Sequence, residues 1–134
     1  MRIDINLKAI SAEASRQFYV DELRLFKANG VSFHGMSCLL FPIGYRQFRI
    51  YLDAYFSSPP QTVLFTLQVN DCDSEFARLR QVVFTSGGRI VPDENGGLNV
   101  TQDAEGRHFT LEDPTGNRFR LFDNNINGNA EGSQ

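Results

Sequence analysis

The 134-residue chain lacks several features that would assign it to a broad functional class. It has no tryptophan and a formal net charge of −3, so no general basic field would attract nucleic acid. No apolar run approaches the roughly 18 residues of a transmembrane helix, and residues 1–6 carry no stretch typical of a signal peptide. We therefore expect a cytoplasmic protein that binds neither nucleic acid nor a membrane.

Cysteine is also scarce. Cys38 and Cys72 have no CxxC motif and no Cys/His spacing around them, which predicts buried free thiols rather than a disulfide or a zinc site. No Ser/His/Asp or Cys/His order indicates a nucleophile, so the sequence predicts no catalytic residue. His108 is a possible general base, although a lone histidine on a strand is more often a surface residue.

What the chain does contain is apolar alternation. It is 41% hydrophobic with twelve phenylalanines, the composition of an ordinary globular domain rich in strands. The first half predicts one strand, one helix and three further strands. These elements are a strand at 3–10, a helix capped by Ser11 that ends near Leu25, a turn at Asn29-Gly30, and strands near 31–34, 37–42 and 47–56.

The second half repeats this order. Phe76, Leu79 and Val83 form the predicted apolar stripe of its helix. The predicted elements are a strand at 63–69, a helix capped by Asp71 and stopped by Gly87-Gly88, a short strand at 89–91, a loop at 92–105 with a strand fragment near 98–100, and strands at 108–112 and 118–122. Asp113-Pro-Thr-Gly-Asn117 is a tight turn between the last two strands.

The two halves overlay directly, since residues 4–11 match 64–71 and residues 47–51 match 118–122. We therefore predict one domain at 1–123, built from two modules and followed by a polar tail. The boundaries are module one at about 1–56, a proline-containing linker at 57–61, module two at about 62–123, and the tail at 124–134.

Three motifs make the sequence resemble the vicinal oxygen chelate superfamily, which includes glyoxalase I, bleomycin-resistance proteins and extradiol dioxygenases. They are Ala14-Ser-Arg-Gln-Phe-Tyr19 followed by Leu23, Val69-Asn-Asp-x-Asp73 at the second helix, and the turn at 113–117. The resemblance implies an α+β fold in which two βαβββ modules form a curved mixed sheet with a cleft. Many relatives are homodimers, so a homodimer is expected here as well.

Enzymes of this superfamily hold a divalent cation with one ligand from each of four strands. The resemblance places the four corresponding positions at Asp4, Arg49, Leu64 and Arg120. Only Asp4 has a side chain that ligates a metal, because leucine has no lone pair and arginine stays protonated. We therefore expect no metal and no other cofactor.

Two arginines in equivalent positions, Arg49 and Arg120, favour a small anionic or polar ligand, because guanidinium groups hold carboxylate or phosphate bidentately. A cationic ligand of the bleomycin type fits them poorly. The predicted ligand-binding residues are Asp4, Arg49, Tyr51, Gln68, Thr110 and Arg120. The alternative is that the arginines pair with Asp4, Asp53 or Glu112 and only fill a solvated sheet face.

Three functions remain open at this point. The first is a metal-free small-molecule-binding protein of the glyoxalase/bleomycin-resistance type, which we predict. The second is a metal-dependent lyase or dioxygenase of the glyoxalase family. The third is a structural or interaction protein with a vestigial cleft. The loop at 92–105 is a possible lid in any of them.

Overall fold

A computed structural model of the chain describes residues 3–31, 37–43, 48–54, 62–104 and 106–124. The first half contains four strands, an α-helix and a π-helix. Their bounds are β1 Ile3–Ala9, α1 Ala12–Arg16, the π-helix Gln17–Glu22, β2 Phe26–Val31, β3 Ser37–Pro42 and β4 Phe48–Ala54. The second half contains β5 Val63–Gln68, α2 Cys72–Leu79, β6 Arg89–Ile90, β7 Thr101–Asp103, β8 Gly106–Glu112 and β9 Arg118–Asp123.

The first sheet has the strand order β1-β4-β3-β2. Strands β1 and β4 are parallel, and β3 is antiparallel to both β4 and β2. This register places Asp4 opposite Arg49 and Asn6 opposite Tyr51. The βαβββ order predicted for the first module is therefore confirmed.

The first compact unit comprises residues 1–61, 83–89 and 113–117. Its core is aromatic, because Tyr19 packs edge-on against both Phe18 and Phe26, and Phe18 also contacts Phe84. Phe18, Tyr19 and Phe26 are almost completely buried. Burial of such side chains is the largest favourable contribution to folding.

The predicted turn at 113–117 belongs to this unit and is organised by a buried aspartate. Asp113 Oδ1 accepts hydrogen bonds from the backbone N–H groups of Thr115, Gly116 and Asn117 at 2.9–3.0 Å. Its Oδ2 accepts from the hydroxyl of Tyr19 at 3.0 Å. Burial raises the pKa of Asp113, although these donors oppose the rise.

The second compact unit comprises residues 62–82, 90–112 and 118–134. Its sheet has the order β5-β9-β8-β6, with β7 paired to β8. Strands β5 and β9 are parallel, whereas β8 is antiparallel to β9 and β7. The predicted apolar face of β8 and β9 is confirmed, since Phe109, Leu111, Phe119 and Leu121 are all buried.

Aromatic contacts continue this buried face. Phe65 stacks on Phe119 with ring centroids 4.9 Å apart, and Phe76 of α2 meets Phe109 edge-on at 5.2 Å. The face opposite to these rings therefore carries the polar side chains of β5, β8 and β9.

Both predicted helix caps are confirmed, but both helices end earlier than predicted, the first at Glu22 and the second at Leu79. Ser11 accepts from the N–H of Ala14, and Asp71 accepts from the N–H groups of Asp73 and Ser74. The first helix changes from α to π geometry at Gln17. The N–H of Leu23 donates to the carbonyl of Phe18, five residues back, as in a π-helix. The wider turn allows four closely spaced residues to be buried, namely Phe18, Tyr19, Glu22 and Leu23.

The second helix ends at Leu79, not at Gly87-Gly88. The backbone N–H groups of Gln81 and Val82 donate to carbonyls three residues back. The chain therefore leaves the α-helix through a tighter turn. Residues 83–89 then belong to the first unit. Val83, assigned to the apolar stripe from sequence, is 81% exposed.

Two strand predictions also need correction. Asn29-Gly30 is not a turn but part of β2, which continues to Val31 across a register irregularity after Ala28. The fragment expected at 98–100 is instead β7 at 101–103, the residues of this segment that pair with β8. Residues 32–36, the linker at 57–61 and the tail at 125–134 lie outside the described residues.

Candidate ligand-binding pocket

The polar face of the second sheet follows from strict alternation along β9. Phe119, Leu121 and Asp123 are buried, so Arg118, Arg120 and Phe122 lie on the other face. Their register partners in β8 share that face. These pairs are Arg118 with Glu112, Arg120 with Thr110, and Phe122 with His108.

A cavity of about 340 Å³ opens on this face. It is lined by Thr66, Asp103, Gly106, His108, Arg120 and Phe122, together with part of Arg107. These residues come from β5, β7, β8 and β9, so four strands contribute to one pocket within the second unit. The volume lies at the lower end of small-molecule sites, which are commonly about 300–1,000 Å³.

Gly106 allows β8 to approach β9 at the wall of this pocket. Its φ is +138°, and an added Cβ would lie 2.1 Å from the carbonyl oxygen of Asp123. No other residue fits there without moving the backbone.

The two arginines of β9 differ in their partners. Arg118 donates from Nε to Glu112 Oε1 at 2.9 Å, which forms a local ion pair. Arg120 Nε is buried, and no described residue accepts a hydrogen bond from it. Glu112, which the sequence offered as a possible partner for Arg120, is therefore paired with Arg118 instead. A buried donor without an acceptor costs about 1–3 kcal/mol.

A histidine–aspartate pair lies beside Arg120. His108 Nε2 is 3.2 Å from Asp103 Oδ2, across the β7–β8 hairpin. The His108 side chain is 20% exposed and that of Asp103 47% exposed. Both line the same cavity as Arg120.

The buried side of β8 is fixed by a different network. Arg107 donates to the buried carboxylate of Asp123 at 3.0 Å and also pairs with the more exposed Asp71 and Asp73. Cys72 is buried as the sequence predicts, and its N–H donates to Asp123 at 2.5 Å. Burial and the nearby Asp123 raise the pKa of the Cys72 thiol to about 12, so this thiol is unreactive at neutral pH.

The predicted site residues fall into three groups. Arg120 lines the cavity, whereas Thr110 and Gln68 share its face without lining it. Asp4, Arg49 and Tyr51 lie in β1 and β4 of the first sheet, where only their backbone positions are described. Asp103 and Phe122 are cavity residues that were not predicted as ligand contacts. Alternation along β9 indicates Phe122, but no sequence signal pairs Asp103 with His108.

The donor set on this sheet does not suit a divalent cation. The register places Thr66, not Leu64, opposite Arg120, because β5 has an irregularity between Val63 and Phe65. A neutral hydroxyl and a protonated guanidinium are poor ligands for Zn²⁺ or Fe²⁺. Among the described residues, no three His, Cys, Asp or Glu side chains are grouped to hold a metal ion.

Solved structures with the same fold are found among the glyoxalase/bleomycin-resistance proteins. A protein of that description from Streptomyces sp. CB03234 is 21% identical, with a TM-score of 0.66 over 91% of this chain and 99% of its own. The bleomycin-binding protein of Streptomyces verticillus, complexed with copper(II)-bleomycin, is 21% identical, with a TM-score of 0.63 over 90% and 93%. The oxidase ChaP-H2 is 18% identical, with a TM-score of 0.65 over 94% of each chain.

The chain thus has the α+β fold of the glyoxalase/bleomycin-resistance proteins. No protein-family model matches the sequence, and no curated protein matches it. In the described part of the chain, no helix has the length and apolar character needed to cross a membrane.

Proposed function

We propose that this protein binds a small anionic or polar organic molecule in the second-sheet cavity, without a metal ion. The observation that carries the proposal is the buried Nε–H of Arg120, which has no acceptor among the described residues. A ligand carboxylate or phosphate oxygen would satisfy that donor and form a charge-assisted hydrogen bond with it.

The rest of the cavity favours a ligand with both a polar and an apolar part. Phe122 supplies a partly buried aromatic side chain, and Thr66 supplies a hydroxyl opposite Arg120. Pockets of this kind use an apolar wall for affinity and a few polar groups for orientation. A small aromatic acid matches this arrangement, whereas a cationic ligand would be repelled by Arg120.

The fold by itself does not decide between binding and catalysis, since the same fold serves a bleomycin-binding protein and an oxidase. The proposal for this chain rests on its own residues at the cavity. Gln68 and Thr110 extend the polar face around Arg120 and are proposed as secondary contacts. Asp4, Arg49 and Tyr51 remain predictions from the sequence.

The proposal is tested by calorimetric titration of chelator-treated protein with 4-nitrobenzoate. We expect saturable binding that Arg120→Met weakens by about tenfold or more, since a charge-assisted hydrogen bond contributes about 1.5–3 kcal/mol. Arg118→Met is the matched control, because Arg118 lies on the same strand and face but is already paired with Glu112. It should leave the affinity nearly unchanged.

Other ligands in the same experiment separate the alternatives. Benzyl alcohol and benzamidine replace the anion with a neutral and a cationic group, and both should bind more weakly than 4-nitrobenzoate. Equal loss of affinity in Arg118→Met and Arg120→Met would contradict the assigned role of Arg120. Strong stabilisation of the folded protein by nickel, zinc, manganese or iron would contradict this proposal and favour a metal-dependent enzyme.

A further inference from the structure

We infer that anion binding in the second-sheet cavity is coupled to the uptake of a proton by His108, in contact with Asp103, so that the ligand binds more tightly as the pH falls. This inference rests on the proposed function, because it concerns the same cavity and the same anionic ligand. It adds the regulation of that site and gives a role to two cavity residues that need not contact the ligand.

The His108–Asp103 pair is formed by the β7–β8 hairpin. Thr101 pairs with His108 in the register, and Asp103 lies two residues further along β7, so its side chain is on the same face. His108 Nε2 lies 3.2 Å from Asp103 Oδ2. This contact is a hydrogen bond when the imidazole is neutral and an ion pair when it is protonated.

The protonation of His108 changes the charge of the cavity. Asp103 and His108 both line it together with Arg120. When the imidazole is neutral, the negative charge of Asp103 acts on the cavity and disfavours an anionic ligand. When the imidazole is protonated, the His108–Asp103 pair has no net charge. A proton therefore removes a repulsion from the site without any change in Arg120 or in the ligand.

The other charged side chains on β6, β8 and β9 are arginines and carboxylates. They are Arg89, Arg107 with Asp71, Asp73 and Asp123, the Arg118–Glu112 pair, and Arg120. Thr66 of β5 and Phe122 of β9 complete the cavity and carry no charge. Imidazole is the side-chain group that ordinarily changes its charge between about pH 5 and 8. Among the described residues of the cavity, His108 alone carries one.

The coupling is an electrostatic effect through the cavity and requires no contact between His108 and the ligand. Charges that line a cavity of about 340 Å³ are only partly screened by salt, whose Debye length is about 8 Å at physiological ionic strength. Because linkage is reciprocal, the factor by which the proton strengthens anion binding is also the factor by which the anion strengthens proton binding. Anion binding near neutral pH should therefore take up a fraction of a proton.

The test is calorimetric titration with 4-nitrobenzoate, which stays ionised between about pH 5.5 and pH 8, in buffers without phosphate or carboxylate. We expect the Kd of the wild-type protein to be about fivefold or more lower at the acidic end of this range, which is the lower limit typical of coupled sites. Titrations near neutral pH in two buffers of different ionisation enthalpy should show net proton uptake on binding.

The variants separate the two members of the pair. His108→Gln and His108→Asn keep a polar side chain that cannot be protonated, so each should bind with nearly the same Kd across the pH range. Asp103→Asn should bind more tightly than the wild-type protein at the alkaline end, because the repelling carboxylate is gone, and its pH dependence should be smaller. His34→Gln removes the other histidine of the chain and, like Arg118→Met, should keep the wild-type pH dependence.

Two results would overturn the inference. One is a wild-type Kd that is the same at both ends of the pH range. The other is a wild-type pH dependence in both His108 variants, with thermal unfolding showing that they are folded. Binding that does not vary with pH would remove the proton coupling alone, whereas absence of binding at every pH would remove the proposed function and the coupling with it.

Discussion

Replacing Glu22 with alanine is expected to lower the free energy of unfolding by about 3 kcal/mol, because two backbone N–H groups and a hydroxyl lose a buried, charged acceptor. Glu22 lies in the π-helix and is 8% exposed. Its Oε2 accepts from the backbone N–H groups of Thr85 at 2.8 Å and Ser86 at 3.1 Å. Its Oε1 accepts from the Ser86 hydroxyl at 2.5 Å.

The measurement is urea unfolding of the wild-type protein, Glu22→Ala and a neighbouring control. Asp21→Ala is that control, since Asp21 is the preceding residue of the same π-helix but is 56% exposed, and its partner among the described residues is Arg16. We expect Asp21→Ala to change the unfolding free energy by less than about 1 kcal/mol. Equal effects of the two substitutions would contradict the assigned role of Glu22 as the acceptor that holds residues 85–86.

Removal of the Asp123 carboxylate is expected to lower the free energy of unfolding by about 3–5 kcal/mol, the range observed when one partner of a buried ion pair is removed. Asp123 is 1% exposed and accepts from Arg107 at 3.0 Å and from the N–H of Cys72 at 2.5 Å. In Asp123→Ala, the Cys72 N–H at the start of α2 loses its acceptor, and the partners that remain for Arg107 in the described part of the chain are the more exposed Asp71 and Asp73.

Asp73→Ala is the matched control for this network. It removes a carboxylate that also contacts Arg107 but is 58% exposed, so we expect a loss of less than about 1 kcal/mol. Urea unfolding of both variants gives the comparison. A loss for Asp123→Ala no larger than that for Asp73→Ala would show that burial does not set the strength of this contact.

Much of this fold could be predicted from two local features of the sequence, the alternation of apolar and polar residues in strands and the capping residues of helices. The strands β8 and β9, their buried residues and the turn at 113–117 follow from local patterns, since side chains alternate across a strand and Asp113 bonds the backbone ahead of it. The caps at Ser11 and Asp71 follow in the same way. Such features depend on neighbours in the chain, so the sequence is sufficient to find them.

Features that depend on distant residues were missed. The π-helix follows from the joint burial of Phe18, Tyr19 and Glu22, and Glu22 is held by residues more than sixty positions away. The early end of α2 has a related cause, because residues 83–89 belong to the first unit. A helical pattern in sequence does not contain these constraints.

The candidate site was predictable only in part. Sequence reasoning identified Arg120 from its position, but the lack of a described acceptor for Arg120 Nε depends on Glu112 having paired with Arg118. The contact between His108 and Asp103 depends on β7, which lies in a segment assigned mainly to loop. A homodimer and a cytoplasmic location remain predictions from the sequence.

The most direct test of metal-free ligand binding at Arg120 is the ¹H–¹⁵N NMR spectrum of the arginine Nε–H groups. Chelator-treated protein is titrated with 4-nitrobenzoate, and the resonances of Arg120 and Arg118 are assigned from Arg120→Met and Arg118→Met. We expect the Arg120 Nε–H signal to shift and saturate, because its donor gains an acceptor, while the paired Arg118 signal moves little. An unchanged Arg120 signal at concentrations that saturate calorimetric binding would contradict the account.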